Sequence, residues 1–339
     1  MTDQQWLPFG YEVLDGASRR GGSHKLLGEP NQDSWAVQFS ENAIVLSVSD
    51  GLGSHEFSQV GSNLACHLAT TIAAERFTQN PDADITSVVL EIVDKWKVTT
   101  SNLPAKNRYG ATLLVAVILN HKCHLVQIGD GMIAYRCSNS ETSKWVESDL
   151  SPKKAALNML PYHIGTVDLS NVQIVQEVIQ TIDSRDIDGF CLLTDGLSDD
   201  IADPNKFIRR LTEELDIHNI AGDKKTSETR RWSHLETTIF AEWERQIPGS
   251  LDDKTMVLCL KPFNRTEMLQ PSAATSELGQ GAKSTMSIEQ SANLDAPKVD
   301  LSHNDNKLDD SENAHQSLTA NLVDKASHIV DKFKQTIKK

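Results

Sequence analysis

Apolar positions along this 339-residue chain follow two rhythms. In the first, Val60, Leu64, Leu68 and Ile72, and then Ile85, Val88, Val89, Ile92, Val93 and Trp96, recur every three or four residues, which predicts two helices facing a core. In the second, short continuous apolar runs predict buried strands: 43–49, 111–119, 124–129, 190–194 and 256–260. Asn120 to Cys123 separates two of these and suits a hairpin. Further strands are expected around Val172 to Ile182. Between Asp199 and Ile247 the pattern turns helical again, with Phe207, Ile208, Leu211 and Leu215 on one side. Strands, two helices, more strands, a helical insert and a final strand predict an α+β layered sandwich and disfavour a parallel βαβ sheet.

Three of the strand-like runs end on an Asp-Gly pair: Asp50-Gly51, Asp130-Gly131 and Asp195-Gly196. A fourth acidic pair, Asp252-Asp253, precedes the run 256–260. A single Asp-Gly is ordinarily a turn. These follow strands and lack flanking hairpin partners of matching pattern, so they suggest carboxylates converging at strand ends, where rigid elements can hold hard divalent cations on oxygen ligands.

Composition narrows the field. A hydrophobic fraction of 39% supports a real core, and the formal net charge of −14 opposes nonspecific association with nucleic acid phosphate or anionic lipid. The first ten residues lack a basic start and an apolar segment, and no run approaches the ~20 apolar residues of a spanning helix, so a cytoplasmic protein is expected. Cys66, Cys123, Cys137, Cys191 and Cys259 show no Cys-x-x-Cys spacing and read as reduced core residues. No Gly-rich phosphate loop opens a helix.

The chain divides near Pro262 into a domain over 1–262, a polar linker over 263–316 that cannot bury enough apolar surface to offset the entropy of ordering, and a C-terminal amphipathic helix over 317–339. In that last segment Leu318, Leu322, Ala326, Ile329, Val330, Phe333 and Ile337 recur at helical spacing, with Lys325, Lys332, Lys334, Lys338 and Lys339 around or beyond them. A docking helix for a partner, a membrane-surface helix and a helix packed on its own domain all fit this pattern.

Four stretches, in this order, resemble the metal-dependent protein phosphatase 2C family. They are residues 28–35 (GEPNQDSW), residues 47–54 (SVSDGLGS), Gly110-Ala111-Thr112 leading to Gly129-Asp130-Gly131, and residues 193–199 (LTDGLSD) with 252–255 (DDKT). The match runs from Tyr11 to about Pro262. It implies a central antiparallel β-sandwich flanked by α-helices in four αββα layers, with two Mn²⁺ or Mg²⁺ ions at one end. Carried over residue by residue, Asp50 bridges both metals, the Gly51 carbonyl binds one, and Asp195 and Asp252 complete the other. Asp33 orients metal-activated water, and Asp130 with Asp199 matches positions that some members use for a third, weaker ion. The family usually shows Asp-Asn where this chain has Asp252-Asp253, so Asp252 is the expected ligand and Asp253 a solvated charge. Asp199 and Asp200 also suit a helix N-cap.

The resemblance implies direct hydrolysis of phosphoserine or phosphothreonine on a protein, opposing a serine/threonine kinase, with no phosphoenzyme. No cysteine here has the Gly-rich, Arg-terminated surroundings of a thiolate phosphatase, and the carboxylates are too dispersed for an EF-hand. Many family members place an Arg shortly before the first motif to fork onto substrate phosphate. This chain has Leu26-Leu27-Gly28 there. His24 is the preferred substitute, since imidazole can donate to phosphate and pass a proton to a leaving alkoxide; Arg20 and Lys25 are the other candidates. The missing Arg also motivates the alternative of a catalytically weak binding or signalling module that recognises a phosphoprotein.

Overall fold

The computed structural model describes residues 7–11, 13–105, 107–139, 142–150, 163–200, 203, 206–212 and 251–261. In chain order its elements are β1 (Val13–Arg19), α1 (Gly22–Leu27), β2 (Ser34–Phe39), β3 (Ile44–Ser49), α2 (Ser58–Gln79), α3 (Ile85–Ser101), β4 (Leu113–Ile118), β5 (Lys122–Ile128), β6 (Met132–Asn139), β7 (Thr142–Glu147), α4 (Val172–Val178), β8 (Ile179–Asp183), β9 (Ile187–Leu193), α5 (Asp195–Ser198) and β10 (Lys254–Leu260). The expected linker 263–316 and C-terminal helix 317–339, and most of the helical insert including Leu215, lie outside the described residues.

Two five-stranded antiparallel sheets stack as a sandwich, one in the order β1-β10-β9-β6-β7 and the other β2-β3-β4-β5-β8. Side chains alternate across each strand. Ile44, Leu46 and Val48 of β3 therefore meet Val257 and Cys259 of β10 between the sheets, together with Phe190 and Leu192 of β9. Val45 faces the other way, onto a layer formed by α2 and α3. Met256, Leu258 and Leu260 face outward from the opposite sheet, against Leu197 of α5 and against Ile208 and Leu211 in the helical stretch 206–212. The central strands are buried on both faces, which is why they appear in the sequence as unbroken apolar runs.

The two predicted helices are α2 and α3, the latter capped by Asp84, whose carboxylate accepts from the Thr86 and Ser87 amides. β4 and β5 form the expected hairpin, with Ile118 opposite Cys123. The expectation of strand from Val172 onward is corrected in part: 172–178 is helix α4, opened by the Asn171 side chain on the Gln173 amide, and only 179–183 is strand. All five cysteines are free thiols, four of them buried. No helix among the described residues is long and apolar enough to cross a membrane.

Candidate metal centre

The three Asp-Gly pairs are not hairpin turns. Asp50 follows β3 and leads toward α2, Asp130 lies where the chain crosses from β5 in one sheet to β6 in the other, and Asp195 opens α5 after β9. Each strand thus delivers a carboxylate at the same edge of the sandwich. One carboxylate oxygen from each of Asp50, Asp130 and Asp195 lies within 4.8 Å of the others, and all three residues are half-buried.

The local backbone holds this convergence. The Asp50 amide donates to Thr112 Oγ1 (2.9 Å), the Thr112 amide donates to the Asp50 carbonyl (2.8 Å), and Ser49 Oγ donates to the Thr112 carbonyl (2.5 Å). Thr112 is therefore a direct support of Asp50. Gly51 bridges to Ala111, and a Cβ there would sit 2.7 Å from the Gln32 carbonyl oxygen, so only glycine lets these segments close together. Gly131 has φ +100°, a conformation needed for the crossing from β5 to β6.

Asp33, just before β2, is 6% exposed. Its Oδ2 accepts from Thr194 Oγ1 (2.7 Å), which itself accepts from the Thr255 amide (3.0 Å), so β9 and β10 both fix it. Its Oδ1 is buried and no hydrogen-bond donor reaches it. Burial pushes the Asp33 carboxyl up to about 7, against the hydrogen bonds that lower it. Asp50 is raised well above the usual carboxylate range, first by burial, then by the charges of Asp33, Asp195 and Asp252. Asp195 is pushed up to about 6, again first by burial, then by Asp130, Asp252 and Asp199. Four other carboxylates, Asp33, Asp130, Asp199 and Asp252, thus lie close enough to Asp50 or Asp195 to repel them.

This is the arrangement a hard divalent cation fits: oxygen ligands in excess, an orphaned buried carboxylate oxygen, and mutual repulsion that a positive ion would relieve. Asp50, Asp130 and Asp195 form the tightest group, with Asp252, Asp199 and Asp33 around it. The one buried cation described at its edge is Lys254, whose Nζ donates to the Asp252 carbonyl (2.9 Å) and lies 3.5 Å from Asp200 Oδ2. Asp199 closes α5, its amide on the Asp195 carbonyl (2.7 Å), while the N-cap considered for Asp199 and Asp200 falls to Asp203, which accepts from the Lys206 amide.

The basic candidates behave differently from one another. Arg20 Nη1 donates to the Glu29 carbonyl (3.0 Å), and Lys25 is exposed on α1. His24 Nδ1 lies 2.9 Å from Asp253 Oδ2, off the line of an ideal hydrogen bond, and Nε2 lies 3.6 Å from Glu29 Oε2. Asp253 is 1% exposed and so corrects the expectation of a solvated charge. Its Oδ1 accepts from the Gly21 amide (2.6 Å) and its Oδ2 from the Gln32 amide (2.5 Å). His55, on the loop after Gly51, accepts from the Gly110 amide at Nδ1 (2.8 Å) and meets the edge of His163, 5.7 Å away between ring centroids.

A search of curated proteins found no match. Among solved structures the chain is similar to the serine/threonine phosphatase Stp1 from Staphylococcus aureus, at 15% identity and a TM-score of 0.46 over 76% of this chain and 98% of that one. It is similar to the catalytic domain of the serine/threonine protein phosphatase PstP in complex with two manganese ions, at 18% identity and a TM-score of 0.46 over 75% and 99%. It is also similar to PppA, a regulatory component of the type VI secretion system in Pseudomonas aeruginosa, at 16% identity and a TM-score of 0.46 over 74% and 98%. The family model for protein phosphatase 2C matches residues 20–229. With well over half its length matched, the chain belongs to the protein phosphatase 2C family.

Proposed function

We propose that this protein is a Mn²⁺- or Mg²⁺-dependent serine/threonine phosphatase, acting in the cytoplasm on phosphoproteins and opposing a serine/threonine kinase. The observation that carries the reading is the meeting of Asp50, Asp130 and Asp195 within 4.8 Å from three separate strand ends. Asp50 with the Gly51 carbonyl, Asp195 and Asp252 would hold two ions, and Asp130 with Asp199 a third, weaker one. When bound, such ions supply an activated water and stabilise charge on the phosphoryl oxygens during in-line displacement.

The remaining work falls to side chains. Asp33 offers its unpartnered Oδ1 to orient the attacking water and accept its proton, while Thr194 holds the other oxygen in place. His24, Arg20 and Lys25 border the phosphate from the α1 side, with His24 Nε2 as the imidazole atom not committed to Asp253. The 317–339 segment serves as a docking element for a partner or membrane surface.

The test is phosphate release from a phosphothreonine peptide and from p-nitrophenyl phosphate, with Mn²⁺, with Mg²⁺ and with chelator. Metal-dependent release that disappears in Asp50→Ala and Asp195→Ala is expected. Saturating Mn²⁺ without turnover, with the phosphopeptide still bound, would instead favour the binding-module alternative.

A further inference from the structure

Asp253 is a carboxylate at 1% exposure, and its neighbours are unusual in coming from so far along the chain. Two backbone amides, Gly21 and Gln32, and one imidazole, His24, converge on its two oxygens at 2.6, 2.5 and 2.9 Å. Gln32 immediately precedes Asp33, and Asp252 immediately precedes Asp253. A buried carboxylate is tolerated only when its lone pairs are used. An amide at this position would accept on one oxygen only and would set its NH₂ against either the Gly21 or the Gln32 N–H. Aspartate accepts from both amides, and its charge faces His24 Nδ1 at 2.9 Å, which approaches without the alignment of a hydrogen bond.

We propose that Asp253 and His24 are a positioning pair, drawing the 21–32 segment onto the start of β10 so that Asp33 and Asp252, one residue to either side of the clasp, are set for cation uptake. The inference rests on the dimetal reading given above. It makes the Nδ1 edge of His24 the atom that matters for metal binding. α1 supports the geometry from outside, since Ser23 donates from both its amide and its hydroxyl to the Leu251 carbonyl, which fixes the helix to the residue before Asp252. Groups that orient metal ligands from behind are worth roughly 10–100-fold in metal affinity.

The experiment is Mn²⁺ binding to the full chain by calorimetry, without substrate, together with amide hydrogen exchange of Gly21 and Gln32 in the metal-free protein. Asp253→Asn and His24→Leu are expected to weaken Mn²⁺ binding by about 10-fold or more, and Asp253→Asn to speed exchange at both amides. His24→Asn, whose side-chain amide nitrogen can stand where Nδ1 stands, should recover most of the loss, whereas His24→Gln, which reaches toward Nε2, should not. Circular dichroism establishes that each variant is folded, and His24→Leu carries the test if Asp253→Asn is not. Wild-type affinity in both Asp253→Asn and His24→Leu, or recovery by His24→Gln and not His24→Asn, would overturn the proposal. A wild-type chain that binds no Mn²⁺ would overturn the dimetal reading itself, a different result from equal binding by wild type and variants.

Discussion

Replacing Asp195 by Asn should stabilise the metal-free protein while removing its response to metal. The carboxyl is pushed up to about 6 by burial and by Asp130, Asp252 and Asp199. That is about two pH units above an ordinary aspartate, so keeping it ionised costs at most about 3 kcal/mol, and partial exposure to solvent reduces this to about 1–2 kcal/mol. For an acid raised in the folded state the cost is absent below about pH 4, grows between pH 4 and 6, and is complete above that. Asparagine removes the charge and keeps an oxygen for the Gly196 amide, now 2.8 Å from Asp195 Oδ1. Thermal unfolding in chelator at pH 7.5 should therefore show a Tm about 2–5 °C higher for Asp195→Asn, with the gain gone at pH 4. Added Mn²⁺ at 100 times its Kd should raise wild-type stability by about 2.7 kcal/mol and leave the variant where it was. A variant that melts below wild type in chelator at pH 7.5, or whose gain is the same at pH 4, would refute the reasoning.

Other consequences follow from the same geometry. Asp33 and Asp195 hold protons into the range of pH 6–7, Asp50 is raised by burial and by its acidic neighbours as well, and a metal requires them ionised, so Mn²⁺ uptake should release protons at pH 6 and fewer at pH 8, with affinity rising between the two; calorimetry in buffers of different ionisation enthalpy measures this, and buffer-independent heats at pH 6 would contradict it. Thr112→Val removes the hydroxyl that accepts from the Asp50 amide and should cost about 1–3 kcal/mol in chemical denaturation, with weaker Mn²⁺ binding; unchanged Mn²⁺ affinity would show that this bond does not place Asp50. Deleting residues 317–339 should alter partner or membrane association and leave hydrolysis of p-nitrophenyl phosphate intact, whereas equal loss of both would identify a structural segment.

The strands that carry the site were legible because β3, β5 and β9 are covered on both faces, which writes them as continuous apolar runs ending abruptly in Asp-Gly. The edge strand β1 was not, because Asp15 and Gly16 interrupt it; Gly16 is there to receive the Trp35 ring, a contact no local pattern announces. Helix α4 read as strand because seven residues, VQIVQEV, are too few to fix a period, although Asn171 at its start was a usable capping signal. The Asp cluster could be anticipated from motif order. Asp253 could not, since its amide partners lie 221 and 232 positions away and only folding turns it from an apparent surface charge into a buried acceptor. Thr112 and Thr194 stand in the quoted motifs, but their roles were not legible for the same reason: each acts through a hydroxyl on a residue distant in the chain.

The central claim is that carboxylates from separate strand ends jointly hold divalent cations. Anomalous diffraction from a crystal soaked in Mn²⁺ tests it most directly. Two manganese peaks among Asp50, Asp195 and Asp252 are predicted, and their absence there, or manganese bound only elsewhere on the molecule, would contradict the account.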